Sequence, residues 1–366
     1  MQIPRIISKF AIENQQSNTI LNSLIINNLK LYLDSLMDFN KVKKIIQIIF
    51  SLALGIFIFW YVYRDLNLVE IIAELKHTHI IWLIIPMLIA LLSHFLRAVR
   101  WKMLLDSLGK EVNVWRVFGA VLVAYFMNYI FPRAGEVVRC GVVKQQEDIP
   151  FTEALGTVIV ERSVDLIVNL SIVILAILLQ YNMILLFFEK HNMTEGLINL
   201  ISNPILWIIF ALIFCLVLVF RKKIKSTLLF KKVAEMAKNV WVGIKSISKM
   251  EHKGLFIFYS IMIFVCYYLM YYLCFFAFDF LDGYGPLCAL AGFIMGSFGI
   301  IAPVQGGLGA WHFMVINTMV LYGLGEYEAG TFAFLVHGGQ TVLQLTTGFI
   351  ALIGLNIVQK NRKSSL

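Results

Sequence analysis

The chain has 366 residues, of which 60% are hydrophobic and only 14% are charged, and its formal net charge is +9. Soluble domains are closer to half apolar and a quarter charged, so this composition excludes an ordinary soluble enzyme. It predicts instead an all-α, polytopic membrane protein. The five cysteines form no C-x-x-C pair and the seven histidines are scattered, so neither a disulfide framework, a metal site nor a cofactor is predicted.

Residues 1–36 form a polar, asparagine-rich extension. Its apolar residues recur at loosely helical spacing, which favours an amphipathic helix at the membrane surface. The alternative is that translation starts at Met37, directly before the first basic and apolar stretch.

Six apolar stretches are long enough to cross the hydrocarbon core, for which a helix needs about 20 residues. They are residues 45–63, 80–96, 154–179, 204–220, 255–280 and 328–358. Two more apolar stretches are broken by proline and glycine. Residues 114–131 stop at Pro132, and residues 287–302 stop at Pro303. The sequence therefore predicts about six full spans and two broken segments, which gives eight helical membrane segments.

The positions of lysine and arginine indicate how the broken segments are arranged. Ten of these residues lie between Arg221 and Lys253, and such a loop beside membrane spans is typical of the cytoplasmic side rather than of a nucleic-acid patch. If residues 114–131 crossed the membrane, this loop would lie outside. We therefore predict two re-entrant hairpins, over 114–150 and 287–323, with both termini in the cytoplasm.

This arrangement gives the two halves of the chain, 41–180 and 203–358, the same plan in opposite orientations. Each half has two spans, a broken hairpin and a third span, which is the inverted repeat found in many transporters. The alternative is that residues 114–131, about 27 Å long as a helix, cross on their own.

The most informative polar segment follows the first break. Arg133, Glu136 and Arg139 recur at a spacing of three and would share one helical face, with Asn128 just before the break. Irregular backbone at membrane depth is tolerated only where it is buried in protein or lines a wet cavity. We predict a polar substrate site here; the alternative is an interfacial loop whose charges lie among headgroups.

A second polar pattern lies within the predicted span 154–179. Glu161 and Asp165 belong to a stripe of polar residues spaced by four, and Arg162 lies three residues before Asp165. Charged groups within a span usually face the bundle interior. We predict that Arg133 and Arg139 join Glu161 and Asp165 in one network; a purely structural ion pair is the alternative.

Two further groups complete the candidate site. The glycine-rich turn of the second hairpin contains Gln305, Gly306 and Gly307, followed by His312, and its free amides could receive an anionic headgroup; tight packing explains the glycines equally well.

Arg97 and Arg100 close the second predicted span, where they are expected to be interfacial anchors. A role in holding lipid phosphate is a second hypothesis for them.

Taken in order, these motifs resemble the flippase-like membrane domain of lysylphosphatidylglycerol synthase and its stand-alone relatives. The motifs are Arg97-Ala-Val-Arg-Trp101, Asn128…Pro132-Arg-Ala-Gly-Glu136…Arg139, Glu161-Arg162…Asp165 and Gly306-Gly-Leu-Gly309. The resemblance covers about residues 41–358 and implies a transmembrane domain over 37–358, followed by a cytoplasmic tail over 359–366. In full-length members this domain is implicated in moving an aminoacylated phospholipid between leaflets, while a separate domain makes that lipid. The chain ends directly after the last span, so the synthase activity is not expected.

The leading hypothesis is a non-enzymatic phospholipid translocase or scramblase in a bacterial cytoplasmic membrane. Its partners would be membrane phospholipids, anionic or aminoacylated, with a homo-oligomer also open. Arg133 and Arg139 would engage the phosphate, balanced by Glu161 and Asp165. Two alternatives remain. One is an enzyme or accessory factor for lipid-linked sugars, as some relatives suggest, with Glu136 or Glu161 as general base; the other is a structural membrane partner.

Overall fold

The computed structural model describes residues 39–181 and 250–364, together with Pro204. Every regular element in these ranges is helical, which confirms the prediction of an all-α membrane protein. The described α-helices are α1 Phe39–Tyr63, α2 Leu68–Ala73, α3 Ile81–Asp106, α4 Val114–Ile130, α5 Gly135–Glu147, α6 Phe151–Leu179, α7 Lys253–Tyr272, α8 Pro286–Ile301, α9 Ala310–Leu321 and α10 Glu326–Ser364. Short 3-10 helices cover Glu74–Lys76, Leu273–Ala277, Asp279–Leu281 and Gln305–Gly307.

The chain divides into two compact units, Met1–Ala53 and Leu54–Leu366. The described part of the first unit is the N-terminal portion of α1. All later helices belong to the second unit, which contains every predicted site residue.

Four described helical segments are long and apolar enough to cross a membrane: Ile81–Asp106, Phe151–Leu179, Lys253–Ala277 and Glu326–Asn361. Ile48–Tyr63 and Leu68–Lys76 together make a fifth candidate as one bent span. Five of the six predicted spans lie on these segments. The sixth, residues 204–220, lies outside the described residues apart from Pro204, as do the extension 1–36 and most of the cationic loop.

The first broken segment is a helical hairpin made of α4 and α5, and the break falls where proline and glycine predict it. The Gly135 amide donates to Asn128 Oδ1 at 2.8 Å. A Cβ at Gly135 would lie 2.4 Å from the Ala124 carbonyl oxygen, so only glycine allows this close approach. At the open end, Arg116 Nη1 lies 3.5 Å from Glu147 Oε1. The two helices are therefore antiparallel; their depth in the membrane, and so the re-entrant assignment, stays a prediction.

The second broken segment is also a hairpin, formed by α8 and α9. A Cβ at Gly299 would lie 2.7 Å from the Trp311 Cα atom, so the two helices touch through backbone near the turn. The turn itself needs glycine, because Gly306 and Gly309 have φ angles of 57° and 75°, which a side chain makes unfavourable.

The two hairpins meet at their turns. The Arg133 Nη2 group donates to the Ile301 carbonyl oxygen, and the Tyr129 ring lies so close to Gly306 that a Cβ there would be 2.2 Å from Tyr129 Cε1. The turns of the two hairpins therefore contact each other, with Arg133 and Ile301 exposed and Gln305 and Gly307 buried. The inverted repeat itself depends on residues 204–220 and stays a prediction.

Two hydrophobic clusters form the core of the second unit. One surrounds the second hairpin and contains Trp311 and Phe332. The other lies among α3 to α7 and contains Trp101, Val117 and Phe256. Two buried arginines stack on the second cluster: Arg100 lies over the Phe256 ring and Arg139 over the Trp101 ring.

The glycine contact in the second hairpin can be tested directly. Gly299→Ala forces a Cβ against backbone atoms of α9, and such overpacking costs about 1–3 kcal/mol. We expect a lower midpoint of thermal unfolding in detergent. Gly141→Ala is the matched control, because its Cβ would meet nothing within 4 Å and alanine favours a helix. An unchanged midpoint for Gly299→Ala would contradict this packing.

Candidate functional site

Five charged side chains are buried together where α3, α5 and α6 meet. Arg97 and Arg100 come from α3, Arg139 from α5, and Glu161 and Asp165 from α6. The two carboxylates lie one turn apart on α6, so they face the same way. We call these five residues the buried network.

Glu161 is the centre of the buried network, because all three buried arginines contact its carboxylate; the half-exposed Arg162 adds a fourth contact, to Oε1, at 3.3 Å. Its Oε1 atom accepts from Arg97 Nη1 and from Arg100 Nη2, both at 2.9 Å. Its Oε2 atom lies 2.9 Å from Arg139 Nη1. One carboxylate thus connects α3, α5 and α6.

Asp165 repeats part of this pattern one turn away. Its Oδ1 atom lies 2.7 Å from Arg100 Nη1, and its Oδ2 atom lies 3.2 Å from Arg97 Nη1. Arg162, which is about 41% exposed, contacts the same Oδ2 atom at 3.0 Å. Arg162 also approaches Glu136 at 3.8 Å, so these two half-exposed residues form the rim of the network.

Neutral groups extend the network to α4 and α7. Arg97 donates to the Tyr267 hydroxyl at 3.0 Å, and this hydroxyl lies 3.0 Å from the Tyr125 hydroxyl. Arg100 Nη1 donates a hydrogen bond to Ser260 Oγ at 3.1 Å. Arg139 stacks over the Trp101 ring at 4.4 Å, a favourable cation–π contact.

The charges of the buried network do not cancel. With all groups in their ordinary charged forms, three arginines face two carboxylates, and the rim adds one charge of each sign. Arg139 Nη2 is buried and has no hydrogen-bond partner among the described residues. Arg100 Nε is in the same state, as are the acceptors Glu161 Oε2 and Asp165 Oδ1 apart from their ion-pair contacts. Because a buried polar group without a partner is costly, the free donors and the surplus positive charge are available to an anionic ligand.

A small pocket lies beside Arg139. It is lined by Arg97, Val121, Ala124, Tyr125, Asn128, Glu136, Arg139 and Arg162. Its volume of about 40 Å³ leaves room for only a few water molecules. A phospholipid headgroup would therefore have to widen it.

Most of the predicted site residues lie in or around the network. Asn128, Glu136, Arg139, Glu161, Arg162 and Asp165 come together, as do Arg97 and Arg100. Arg133 does not: it is exposed at the turn of the first hairpin, with a φ angle of 61°, and contacts Ile301 instead. The prediction that Arg133 joins the network is therefore wrong.

The residues of the second hairpin form a separate group. His312 is buried against the Phe59 and His337 rings, and its Nδ1 atom accepts from the Gly309 amide at 3.3 Å. Gln305 and Gly307 are buried and Gly306 packs under Tyr129. In the described part of the chain, no ion pair of the network includes this hairpin. The packing alternative thus accounts for these glycines.

The expectation that Arg97 and Arg100 are interfacial anchors is wrong. Helix α3 continues to Asp106 instead of ending near residue 96, and both side chains are buried and paired with α6. Sequence reasoning also missed Tyr125 and Tyr267. Tyr125 precedes Asn128 by three residues, which was a usable signal, whereas Tyr267 is one of many aromatic residues in an apolar run.

Comparison with known proteins agrees with this architecture. Residues 48–348 match the family described as the lysylphosphatidylglycerol synthase TM region. The chain therefore belongs to this family of multi-pass membrane proteins, which is defined by a transmembrane region and not by a catalytic domain. The resemblance deduced from the sequence motifs is confirmed.

Two curated relatives share parts of the chain. The UPF0104 membrane protein MJ1595 of Methanocaldococcus jannaschii is 30% identical over 133 residues, which are 36% of this chain and 38% of that protein. The glycosyltransferase AglD of Haloferax volcanii is 36% identical over 73 residues, 20% of this chain and 12% of that protein. The chain thus covers well under half of the length of these relatives. No solved structure matches it.

The central role of Glu161 gives a stability prediction. Glu161→Gln removes the negative charge shared by three buried arginines, and breaking such pairs costs about 3–5 kcal/mol. We expect a large fall in the unfolding midpoint in detergent. Glu153→Gln, an exposed position on the same helix, should change the free energy of unfolding by no more than about 0.5 kcal/mol. Equal midpoints for the two variants would show that the network does not hold these helices together.

Proposed function

We propose that this protein moves phospholipids between the leaflets of the membrane, with the lipid phosphate bound beside Arg139. The observation that supports this proposal most is the buried, unpartnered Arg139 Nη2 donor in a network with surplus positive charge. Arginine matches phosphate well because its planar group can donate two parallel hydrogen bonds. An anion there would also relieve a cost of about 1–3 kcal/mol for the unsatisfied donor.

In this proposal the carboxylates position the arginines rather than bind the lipid. Glu161 and Asp165 hold Arg97, Arg100 and Arg139 in place, yet they leave net positive charge for the phosphate. The headgroup would pass along this polar interior while the acyl chains stay in the bilayer. Phospholipids, anionic or aminoacylated, are the proposed substrates, and a bacterial cytoplasmic membrane is the proposed location.

Passage of a headgroup requires movement, because the pocket holds only a few waters. The contacts between the two hairpins are the proposed moving part. They include a side-chain hydrogen bond from Arg133 to backbone and the packing of Tyr129 on Gly306. Separation of these contacts would open a route between the hairpins.

A role in handling lipid-linked sugars is the second candidate. It is favoured by the short match to a relative named as a glycosyltransferase. The half-exposed Glu136 at the rim would be its natural acid or base. A lipid-linked sugar that is chemically altered by the purified protein, without any lipid movement, would favour this candidate.

The proposed function can be tested in proteoliposomes that contain fluorescent phospholipids with anionic, zwitterionic or cationic headgroups. Dithionite quenches only the outer leaflet, so extra loss of signal measures translocation. Arg139→Ala should slow movement about 10- to 100-fold, which corresponds to loss of a charged hydrogen bond of about 1.5–3 kcal/mol. Arg139→Lys should retain part of the translocation rate, because lysine keeps the positive charge but lacks the planar group that donates two parallel hydrogen bonds.

Arg64→Ala serves as the control, since Arg64 is an exposed arginine outside the network, paired with its neighbour Asp65 and lying over the Tyr61 ring. Its rate should equal that of the wild type. A monodisperse Arg139→Ala protein that moves lipid at the wild-type rate would refute the proposed phosphate site. No movement of any lipid by folded wild-type protein would refute translocation itself.

A further inference from the structure

A second cavity lies on another face of the first hairpin, between α3, α4 and α10. Its volume is about 650 Å³, within the range of ordinary ligand sites. Its walls are mostly apolar and include Phe118 and Leu122 of α4 and Ile350, Ala351 and Gly354 of α10. We call it the α4–α10 groove. It is separate from the buried network, since α4 presents Val121, Ala124 and Asn128 to the network pocket.

The groove has a polar end and an apolar end. Gly119 of α4 packs on Leu355 of α10, where a Cβ on the glycine would lie 3.0 Å from the leucine side chain. Further along α4, the Leu122 carbonyl oxygen would lie 2.8 Å from a Cβ at Gly348 of α10. Later residues of α4 therefore meet earlier residues of α10, so the two helices run antiparallel. The start of α4, with Trp115 and Arg116, therefore lies at the same level as Val358 of α10. Only Thr347 adds a polar side chain at the opposite end.

The polar end carries an arginine. Arg116 lines the groove, and its contacts to Glu147 and to the Gln146 carbonyl both use Nη1, so its five-donor group keeps further donors for a ligand. Trp115 is 66% exposed, as is common for tryptophan at a membrane interface. This end is the one predicted to face the cytoplasm.

The length of the groove matches one leaflet. From Thr347 to Val358 the axis of α10 rises by about 17 Å. Half of the hydrocarbon core of a bilayer is about 15 Å thick. An acyl chain that starts at the polar end would therefore reach Thr347 near the middle of the membrane.

We propose that the α4–α10 groove binds an acyl chain of a phospholipid from the cytoplasmic leaflet, with the phosphate of that lipid at Arg116. The apolar walls take the chain, Arg116 takes the phosphate, and Trp115 lies at the level of the glycerol. This site would hold a resident lipid against the first hairpin. It stands independently of the proposed translocation, because it is tested by binding alone.

Gly354 offers a clean way to fill the groove. A Cβ there would meet nothing within 4 Å, so Gly354→Leu adds a side chain at the wall of the groove with its first atom clear of the protein. Gly156→Leu on α6 is the matched control, since its Cβ also meets nothing within 4 Å and it lies outside the groove. Arg116→Gln removes the cation at the polar end.

The probe is phosphatidylglycerol with a diazirine on one acyl chain, either near the glycerol or at the chain end, in proteoliposomes of the full chain. Crosslinks are mapped by peptide mass spectrometry. We expect the glycerol-proximal probe to label residues 354–358 and the chain-end probe to label residues 347–351 and Leu122. Labelling of the exposed apolar face of α6, which carries Leu170, Ile174 and Leu178, serves as the reference for ordinary contact with bulk lipid.

Gly354→Leu should reduce labelling of the groove about tenfold relative to the α6 face, Arg116→Gln should reduce it as well, and Gly156→Leu should not. In the wild type, unlabelled phosphatidylglycerol should compete at the groove in a saturable way and not at the α6 face. Equal labelling of groove and α6 face, without saturation, would show bulk lipid contact only and overturn the proposal. Protein–protein crosslinks from the groove in place of lipid adducts would show a second copy there and overturn it too.

Discussion

Charged groups inside an apolar helix bundle must find partners, and this constraint organises the described structure. Three arginines and two carboxylates are buried where α3, α5 and α6 meet, and Glu161 alone contacts all three arginines. Loss of a partner would leave a buried charge uncompensated, so these contacts fix the helices relative to one another. The same arrangement leaves Arg139 with a free donor, so the cluster that holds the helices together is also the site proposed for the phosphate.

The first hairpin is placed between two lipid-related surfaces. One face of α4 looks onto the network pocket, where the proposal puts a headgroup, and another lines the α4–α10 groove, where it puts a resident acyl chain. Its turn contacts the second hairpin through Arg133 and Tyr129.

Local chemistry made part of this structure predictable from the sequence. Pro132 and Gly135 mark the break of the first hairpin, and a spacing of four aligns Glu161 with Asp165. Arg97 and Arg100 were misjudged because charges after an apolar run resemble the end of a span, and their partner Glu161 lies more than 60 residues away. Arg133 was misjudged because the helical spacing to Arg139 assumes one continuous helix, whereas α5 begins only at Gly135 and Arg133 has a left-handed backbone.

The most direct test of the account is an experimental structure of the protein in nanodiscs rich in phosphatidylglycerol. Density for a phosphate is expected within hydrogen-bonding distance of Arg139 Nη2, and it should be lost in Arg139→Ala nanodiscs with the rest of the network in place. A network pocket that holds no phosphate in the wild type, with Arg139 Nη2 paired instead to a protein group, would contradict the account.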